Sequence, residues 1–251
     1  MKFIINADDC GYSKDTNQAI DRCFEKQLLT STTIMANMDG FDGVKRLYEK
    51  WKDTKSFGIH LNLSEGKPLF KNSVLIEKGI YYEKDGGVWF NRQTVKNRYL
   101  SPIVRKEIYK ELKMQIEKIF DAGIIPSHID GHHHIHTSPF ILPIVVQLAK
   151  EYNITKIRRM GITPLHHGIN KFIRTEWLTY AHIFNSQIKT TDYFCGYSDY
   201  INDVFDGEGK EENKVCELMI HPGNVHLEDE ILLNKNFPFE SKELINYYDL
   251  R

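Results

Sequence analysis

Five histidines and one aspartate crowd into the stretch Ser127-His128-Ile129-Asp130-Gly131-His132-His133-His134-Ile135-His136. Imidazole is the commonest side-chain metal ligand and titrates nearest neutral pH, so such density has a chemical use. Beyond it, Ser138-Pro139 reads as a helix N-cap followed by proline at the first helical position. Phe140, Ile141, Ile144, Val145 and Leu148 then follow at helical spacing. Ser127, Ile129 and the apolar residues before them read as a short buried strand. The histidines are therefore expected on a βα loop, where catalytic groups collect in βα-repeat proteins. An amphipathic helix with solvated histidines, or a fortuitous polyhistidine run, is the competing account; an affinity tag would lie at a terminus.

Other polar groups stand at comparable places. Lys2 to Ala7 is a compact apolar run, hence a strand, and Asp8-Asp9 closes it. Ser13 can cap a helix running to about Gln27. Thr32 to Asn37 reads as the next strand, Phe41 to Trp51 as a helix, and Phe57 to Leu63 as a third strand carrying His60. Residues 64–99 form a long irregular insertion. Within it Tyr81 to Phe90 reads as a hairpin with Asp85-Gly86 at the turn. Ser101-Pro102 opens a helix with Val104, Ile108, Leu112 and Ile116 on one face, ahead of the histidine loop. Lys156 to Met160 is a short strand containing Arg158-Arg159. Thr163 to Gln187 is polar and less regular, with a helical piece around Phe172 to Phe184. Strands are expected at Thr191 to Cys195, at Val215 to Ile220 (ending in His221-Pro222-Gly223), and at Glu243 to Leu250.

This alternation implies a mainly parallel sheet with covering helices. At 251 residues a TIM-like (β/α) barrel, whole or distorted and incomplete, is favoured over an open doubly wound sheet. A single domain over residues 1–251 is expected, with 64–99 as an inserted lid. Composition is ordinary for a globular protein, 41% hydrophobic and 27% charged, and no run approaches the ~18 apolar residues of a membrane span. The amino terminus enters a strand and then acids rather than a signal peptide, which predicts a cytoplasmic protein. Cys10, Cys23, Cys195 and Cys216 lack any CxxC spacing, which argues against a disulfide framework or a zinc–cysteine site. A formal charge of −1 with dispersed lysines gives no basic stripe for nucleic acid. The loop after the first strand has no GxGxxG or GxxxxGK[ST], which argues against a dinucleotide or nucleoside triphosphate.

Parallel strands place their C-terminal ends on one rim, so Asp8, Asp9, His60, His132, Arg158 or Arg159, and His221 are expected at one mouth. Each is weak alone: an Asp-Asp pair can cap a helix, a lone strand histidine can be a core residue, a histidine before proline can shape a turn, and paired arginines can sit on the surface. Their joint placement is informative. A carboxylate with two imidazoles makes an N/O site for a divalent metal with positions left open. Such a metal acidifies water and polarises a carbonyl, a second carboxylate can accept the proton, and a histidine across the site can protonate the leaving group. Metal-assisted hydrolysis of an amide or ester is the natural chemistry.

Asn6-Ala7-Asp8-Asp9-Cys10-Gly11, Thr30-Ser31-Thr32-Thr33, Gly58-Ile59-His60-Leu61-Asn62-Leu63, His128 to His136, and His221-Pro222-Gly223 occur in this order. The set resembles the YdjC-like carbohydrate deacetylases, which include chitooligosaccharide deacetylases, over nearly the whole chain. The resemblance implies a TIM-like barrel, a divalent metal (magnesium or zinc), and hydrolysis of the N-acetyl group of an amino sugar with release of acetate. Carried over by position, Asp9, His60 and His132 match the metal ligands, Asp8 the general base and His221 the acid that assists departure of the amine. The roles of Asp8 and Asp9 could be exchanged. Arg158 or Arg159 would orient the base. Asp130, His128, His133, His134 and His136 would support the ligating rings or the loop, fixing tautomers from behind.

Two departures bear on substrate fit: only about twenty residues separate Gly223 from Glu243, and Cys10 stands where an aromatic is frequent in the family. In the insertion, Tyr81, Tyr82, Trp89 and Phe90 either stack on sugar rings or pack on one another and on the barrel. The rival activities are a metal phosphoesterase or sugar isomerase on the same barrel, and a catalytically silent sugar-binding protein. The expected partners are an amino-sugar or chitooligosaccharide substrate, no nucleic acid and no membrane, with a homodimer as the default assembly.

Overall fold

Successive strand side chains point to opposite faces, and here one face is apolar and the other polar. In β1 (Lys2–Cys10), Phe3, Ile5 and Ala7 enter the hydrophobic core, whereas Asn6 and Asp8 meet on the opposite face. In β3 (Ser56–Leu61), Phe57, Ile59 and Leu61 are core and His60 turns the other way, to Asp130 of β6 (Ile129–Gly131). In β8 (Val215–Ile220), Cys216, Leu218 and Ile220 are core and Glu217 turns inward to Arg158. The apolar core thus lies between sheet and helices, and the inside of the sheet is polar. The computed structural model describes residues 1–91, 99–159, 187–203, 213–223 and 238–250.

The strands run parallel in the order β6-β3-β2-β1-β8-β7, with β2 at Ser31–Ile34 and β7 at Tyr193–Gly196. Outside β6, parallel bridges join Ile129 to Ile157 and Lys156 to Lys189. Lys189 lies just ahead of β7, so the segment bordering one edge leads within about 14 Å into the strand on the other edge. The wall therefore curls back on itself as a (β/α) barrel with an irregular side, in accord with the expected architecture. α1 (Lys14–Glu25), α2 (Val44–Trp51), α4 (Pro102–Asp121) and α5 (Leu142–Glu151) lie between strands, and α6 (Tyr197–Asp203) leads towards β8. Ser13 caps α1, its hydroxyl accepting from the Thr16 amide at 3.1 Å. The insertion carries the short helix α3 (Ser73–Glu77) and the expected hairpin, β4 (Tyr81–Lys84) paired antiparallel with β5 (Gly87–Phe90).

Several boundaries differ from the sequence expectation. The first strand runs through Asp8 and Asp9 to Cys10. Its register with β2 slips between Ala7 and Cys10, and Asp9 adopts φ 67°. This bulge re-aims two consecutive carboxylates that a regular strand would send to opposite faces. Ser138-Pro139 is not the start of a helix: α5 begins at Leu142, with proline near its first position, after a turn in which the Ser138 carbonyl accepts from Ile141 and Leu142. Glu243 to Leu250 is not a strand. A 3-10 turn (Ser241–Glu243) is followed by one bridge from Leu244 to Phe3 and then by turns. Arg158 lies beside an isolated bridge rather than in a full strand, and Met160 and the helical piece around Phe172 to Phe184 lie outside the described residues.

Candidate metal and active site

The barrel mouth is built from strand ends and the loops after them. Asp9 Oδ1 lies 3.2 Å from His60 Nε2 and 2.9 Å from His132 Nδ1. These groups come from the β1 bulge, the end of β3 and the 3-10 turn His132–Thr137 that follows β6. Within that turn His133 and His134 take left-handed φ of 50° and 57°, strained for non-glycine residues and typical of loops that aim functional groups.

Each ring is held from its far side. His60 Nδ1 donates to Asp130 Oδ1 at 2.6 Å, and His132 Nε2 donates to Glu65 Oε2 at 2.9 Å. With a proton on each of those nitrogens, the other nitrogen of each ring, the one facing Asp9, is left to take either a second proton or a cation. Asp9 Oδ1 is buried, and among the described residues no well-formed hydrogen bond reaches it, so three potential ligand atoms face one another. The local field favours positive charge. Burial alone would lower the His60 pKa, but Asp130 and the neighbouring acids push it up to about 10. Burial alone would raise the Asp9 carboxyl, but His132 and His60 hold it well below the usual carboxylate range. A carboxylate with two tautomer-fixed imidazoles in a cation-seeking field fits a divalent metal.

Asp8 turns to a different partner. Arg158 grips it with both terminal nitrogens, each at 2.6 Å, and the guanidinium is fully buried. Burial would raise the Asp8 carboxyl, but Arg158 outweighs it and holds the group far below its ordinary value. Asp8 is thus ionised throughout the neutral range. Asn6 Nδ2 also donates to Asp8 Oδ1 at 2.8 Å. His221 follows β8 beside Asp8, since Ala7 pairs with Ile220, and its charge acts on Asp8. Arg158 further contacts Asp130 Oδ2 at 2.8 Å and donates through Nε to Glu217 Oε1 at 2.8 Å.

The fold therefore brings Asp8, Asp9, His60, His132, Asp130, Arg158 and His221 to one mouth. Arg159 departs from it: its guanidinium donates to the Asp192 carbonyl at 3.2 Å, because side chains of adjacent extended residues diverge. His128 packs below the mouth. It is buried, stacked on Tyr247 with centroids 3.5 Å apart. His136 Nε2 lies 3.3 Å from the Arg158 carbonyl, and His133 Nδ1 lies 2.8 Å from Ser64 Oγ. Asp130, expected in this role, holds the His60 ring, and Glu65 holds that of His132. Glu65 escaped the sequence reading although it stands just past β3, in Ser64-Glu65-Gly66. Glu217 escaped it too; a carboxylate inside the apolar run Val215 to Ile220 was the available signal.

The hairpin aromatics divide. Tyr81 and Phe90 are buried, edge to face at 5.2 Å, and so are packing residues. Tyr82 and Trp89, paired on the other face, are more exposed, with Lys67 Nζ 5.0 Å from the Trp89 ring. No described helix is long and apolar enough to cross a membrane.

A family model described as YdjC-like protein matches residues 2–244. A protein of Brevibacillus brevis named carbohydrate deacetylase is 40% identical over 154 residues, which cover 61% of this chain and 58% of that protein. One of the same name from Clostridium beijerinckii is 35% identical over 253 residues, covering 95% of this chain and 87% of that protein. A solved structure from Enterococcus faecalis V583, of a protein proposed to act in cellobiose-phosphate cleavage, superposes with a TM-score of 0.69 at 23% identity, over 99% of this chain and 98% of that one. That likeness confirms the shared fold. The family match across nearly its whole length places this chain in the YdjC-like protein family.

Proposed function

We propose that this protein is a divalent-metal-dependent carbohydrate deacetylase that hydrolyses the N-acetyl group of an amino sugar or chitooligosaccharide and releases acetate. The observation that carries this is the convergence of Asp9, His60 and His132, with both rings oriented by Asp130 and Glu65. The relatives named carbohydrate deacetylase support the substrate class.

Asp9, His60 and His132 would hold the cation. When bound, magnesium or zinc supplies Lewis acidity at the acetyl carbonyl and acidifies the hydrolytic water. Asp8, ionised and fixed by Arg158, takes a proton as water adds to the acetyl carbon; its contact with Arg158 supports this role. His221, on the neighbouring strand end, gives a proton to the sugar nitrogen as the C–N bond breaks. The products are acetate and the free amine. The polar barrel interior below the mouth keeps both carboxylates and the guanidinium in fixed geometry, so little reorganisation is needed during reaction.

The 64–99 insertion, of which residues 92–98 lie outside the described residues, would serve as a lid over this mouth. Its first residues touch the site through Ser64 to His133 and Glu65 to His132, and Gly66 accepts from Phe90 of the hairpin at 3.1 Å. Tyr82 and Trp89, not Tyr81 and Phe90, are then the residues available to sugar. The test is acetate release from N-acetylglucosamine oligomers after chelation and readdition of defined metals. Metal-restored acetate release is expected; phosphate release from phosphorylated sugars without acetate release would replace this proposal with a phosphoesterase.

A further inference from the structure

Three buried carboxylates share one buried guanidinium. Besides Asp8 and Asp130, Arg158 holds Glu217, which is fully buried in mid-strand. His60 also faces Asp130, but Arg158 is the cation that Glu217 contacts, and burying this third acid is costly; an apolar side chain would fill the space at lower cost. Glu217 meets the site through Arg158, which it contacts at 2.8 Å. Along the chain it lies four positions before His221, about 13 Å of extended backbone from the mouth.

What Glu217 touches is the back edge of Arg158 on one side and the phenol of Tyr247 on the other. Its Oε1 accepts from Arg158 Nε at 2.8 Å, and its Oε2 accepts from the Tyr247 hydroxyl. Tyr247 is itself fixed. It is fully buried, its ring lies flat on His128 at 8° between planes, and its amide donates to Ser56 Oγ at 3.1 Å. Its carbonyl accepts from Lys156 Nζ. With Ile4 and Leu250 it closes the lower end of the polar interior.

A guanidinium held only by its terminal nitrogens can still swing about the bonds that join it to its stem. Anchoring Nε removes that freedom and sets the plane in which NH1 and NH2 point. We propose that Glu217, secured by the Tyr247 hydroxyl, is a positioning residue for the hydrolysis: it fixes Arg158 so that both terminal nitrogens stay in the plane of the Asp8 carboxylate. The chain's last turns are thereby tied to the catalytic base from the opposite end of the barrel. The inference rests on the reading of Asp8 as base.

The test uses Tyr247→Phe, which keeps the ring and its stacking, together with Glu217→Gln and Glu217→Leu. Expected is a fall in kcat of about 10- to 100-fold for Tyr247→Phe and Glu217→Leu, since small misplacement of a catalytic group costs on this order. KM and metal affinity should stay within about twofold, because substrate and cation contacts are untouched. Glu217→Gln, whose amide oxygen can still accept from Nε, should recover part of the loss. A merely structural glutamate predicts the opposite: a folded Leu variant with full kcat, which would overturn the proposal. An independent readout is the Arg158 Nε–H signal in 15N NMR of the whole protein. It should be protected in the wild type and exchange at least tenfold faster in Tyr247→Phe. If the wild type releases no acetate, the deacetylase reading fails by itself and the Nε–H signal still decides: equal protection in Tyr247→Phe rejects the anchoring role.

Discussion

Asp130 Oδ1 sits 2.6 Å from His60 Nδ1, while the other oxygen of the same carboxylate lies 2.8 Å from Arg158. One aspartate therefore joins a ring of the candidate metal site to the guanidinium that grips Asp8, the proposed base. Asp130→Asn is expected to lower divalent-metal affinity about 10- to 100-fold, the usual cost of losing the partner behind a ligating histidine. Competition titration with a chromogenic chelator measures it. Unchanged affinity would mean that His60 needs no such partner.

Glu65 performs the same service for His132 from a more exposed position, its side chain 28% accessible against 0% for Asp130. Water can replace part of that bond, so Glu65→Gln should weaken metal binding less, by about tenfold. The ranking, Asp130 before Glu65, is the discriminating outcome in the same titration.

Asp8→Asn should leave metal affinity within about threefold and reduce kcat by about 10²–10⁴, the usual contribution of a general base. A loss of metal equal to that of Asp9→Asn would exchange the roles proposed for the two neighbours. Isothermal titration with the cation, paired with acetate-release kinetics, separates the cases.

A side chain at Gly58 would collide with the His128 imidazole, its Cβ 2.4 Å from Cε1. His128 cannot retreat, being stacked on Tyr247. Gly58→Ala should therefore destabilise the fold by about 1–3 kcal/mol, the usual cost of overpacking. Urea denaturation measures the loss.

Burial raises the Glu217 carboxyl from 4.5 to about 7, partly offset by Arg158 and the Tyr247 hydroxyl. A carboxyl whose folded pKa is raised binds its proton more tightly in the folded state. Its contribution is fully present below the unfolded value of 4.5 and is lost as pH rises through about 7. At full loss this amounts to about 3 kcal/mol. Glu217→Gln cannot ionise, so its stability relative to the wild type should rise between pH 5 and pH 8. Paired denaturation curves at the two pH values check this, and a constant difference contradicts it.

Much of the fold was legible because periodicity and chemistry agreed. Apolar runs ending in acids or histidines marked β1, β3 and β8, and their alternation with helices called for a parallel barrel. Local signals failed where tertiary contacts outweighed them. Ser138-Pro139 has the form of a cap, but the chain spends a further turn before α5 begins. Residues 243–250 have strand-like composition, yet Tyr247 is used to plug the barrel and, among the described residues, the segment pairs only at Leu244.

The sequence by itself determined which groups could meet: parallel strands share a rim, so acids and imidazoles at their ends must converge. Only the tertiary structure decided which partner each one takes. The β1 bulge sends Asp8 to Arg158 and Asp9 to the imidazoles, and residues as remote as Glu65 and Asp130 select the ring nitrogens that face inward. Such choices depend on ångström distances and on backbone angles like the left-handed φ of Asp9, which residue types and spacing do not encode locally.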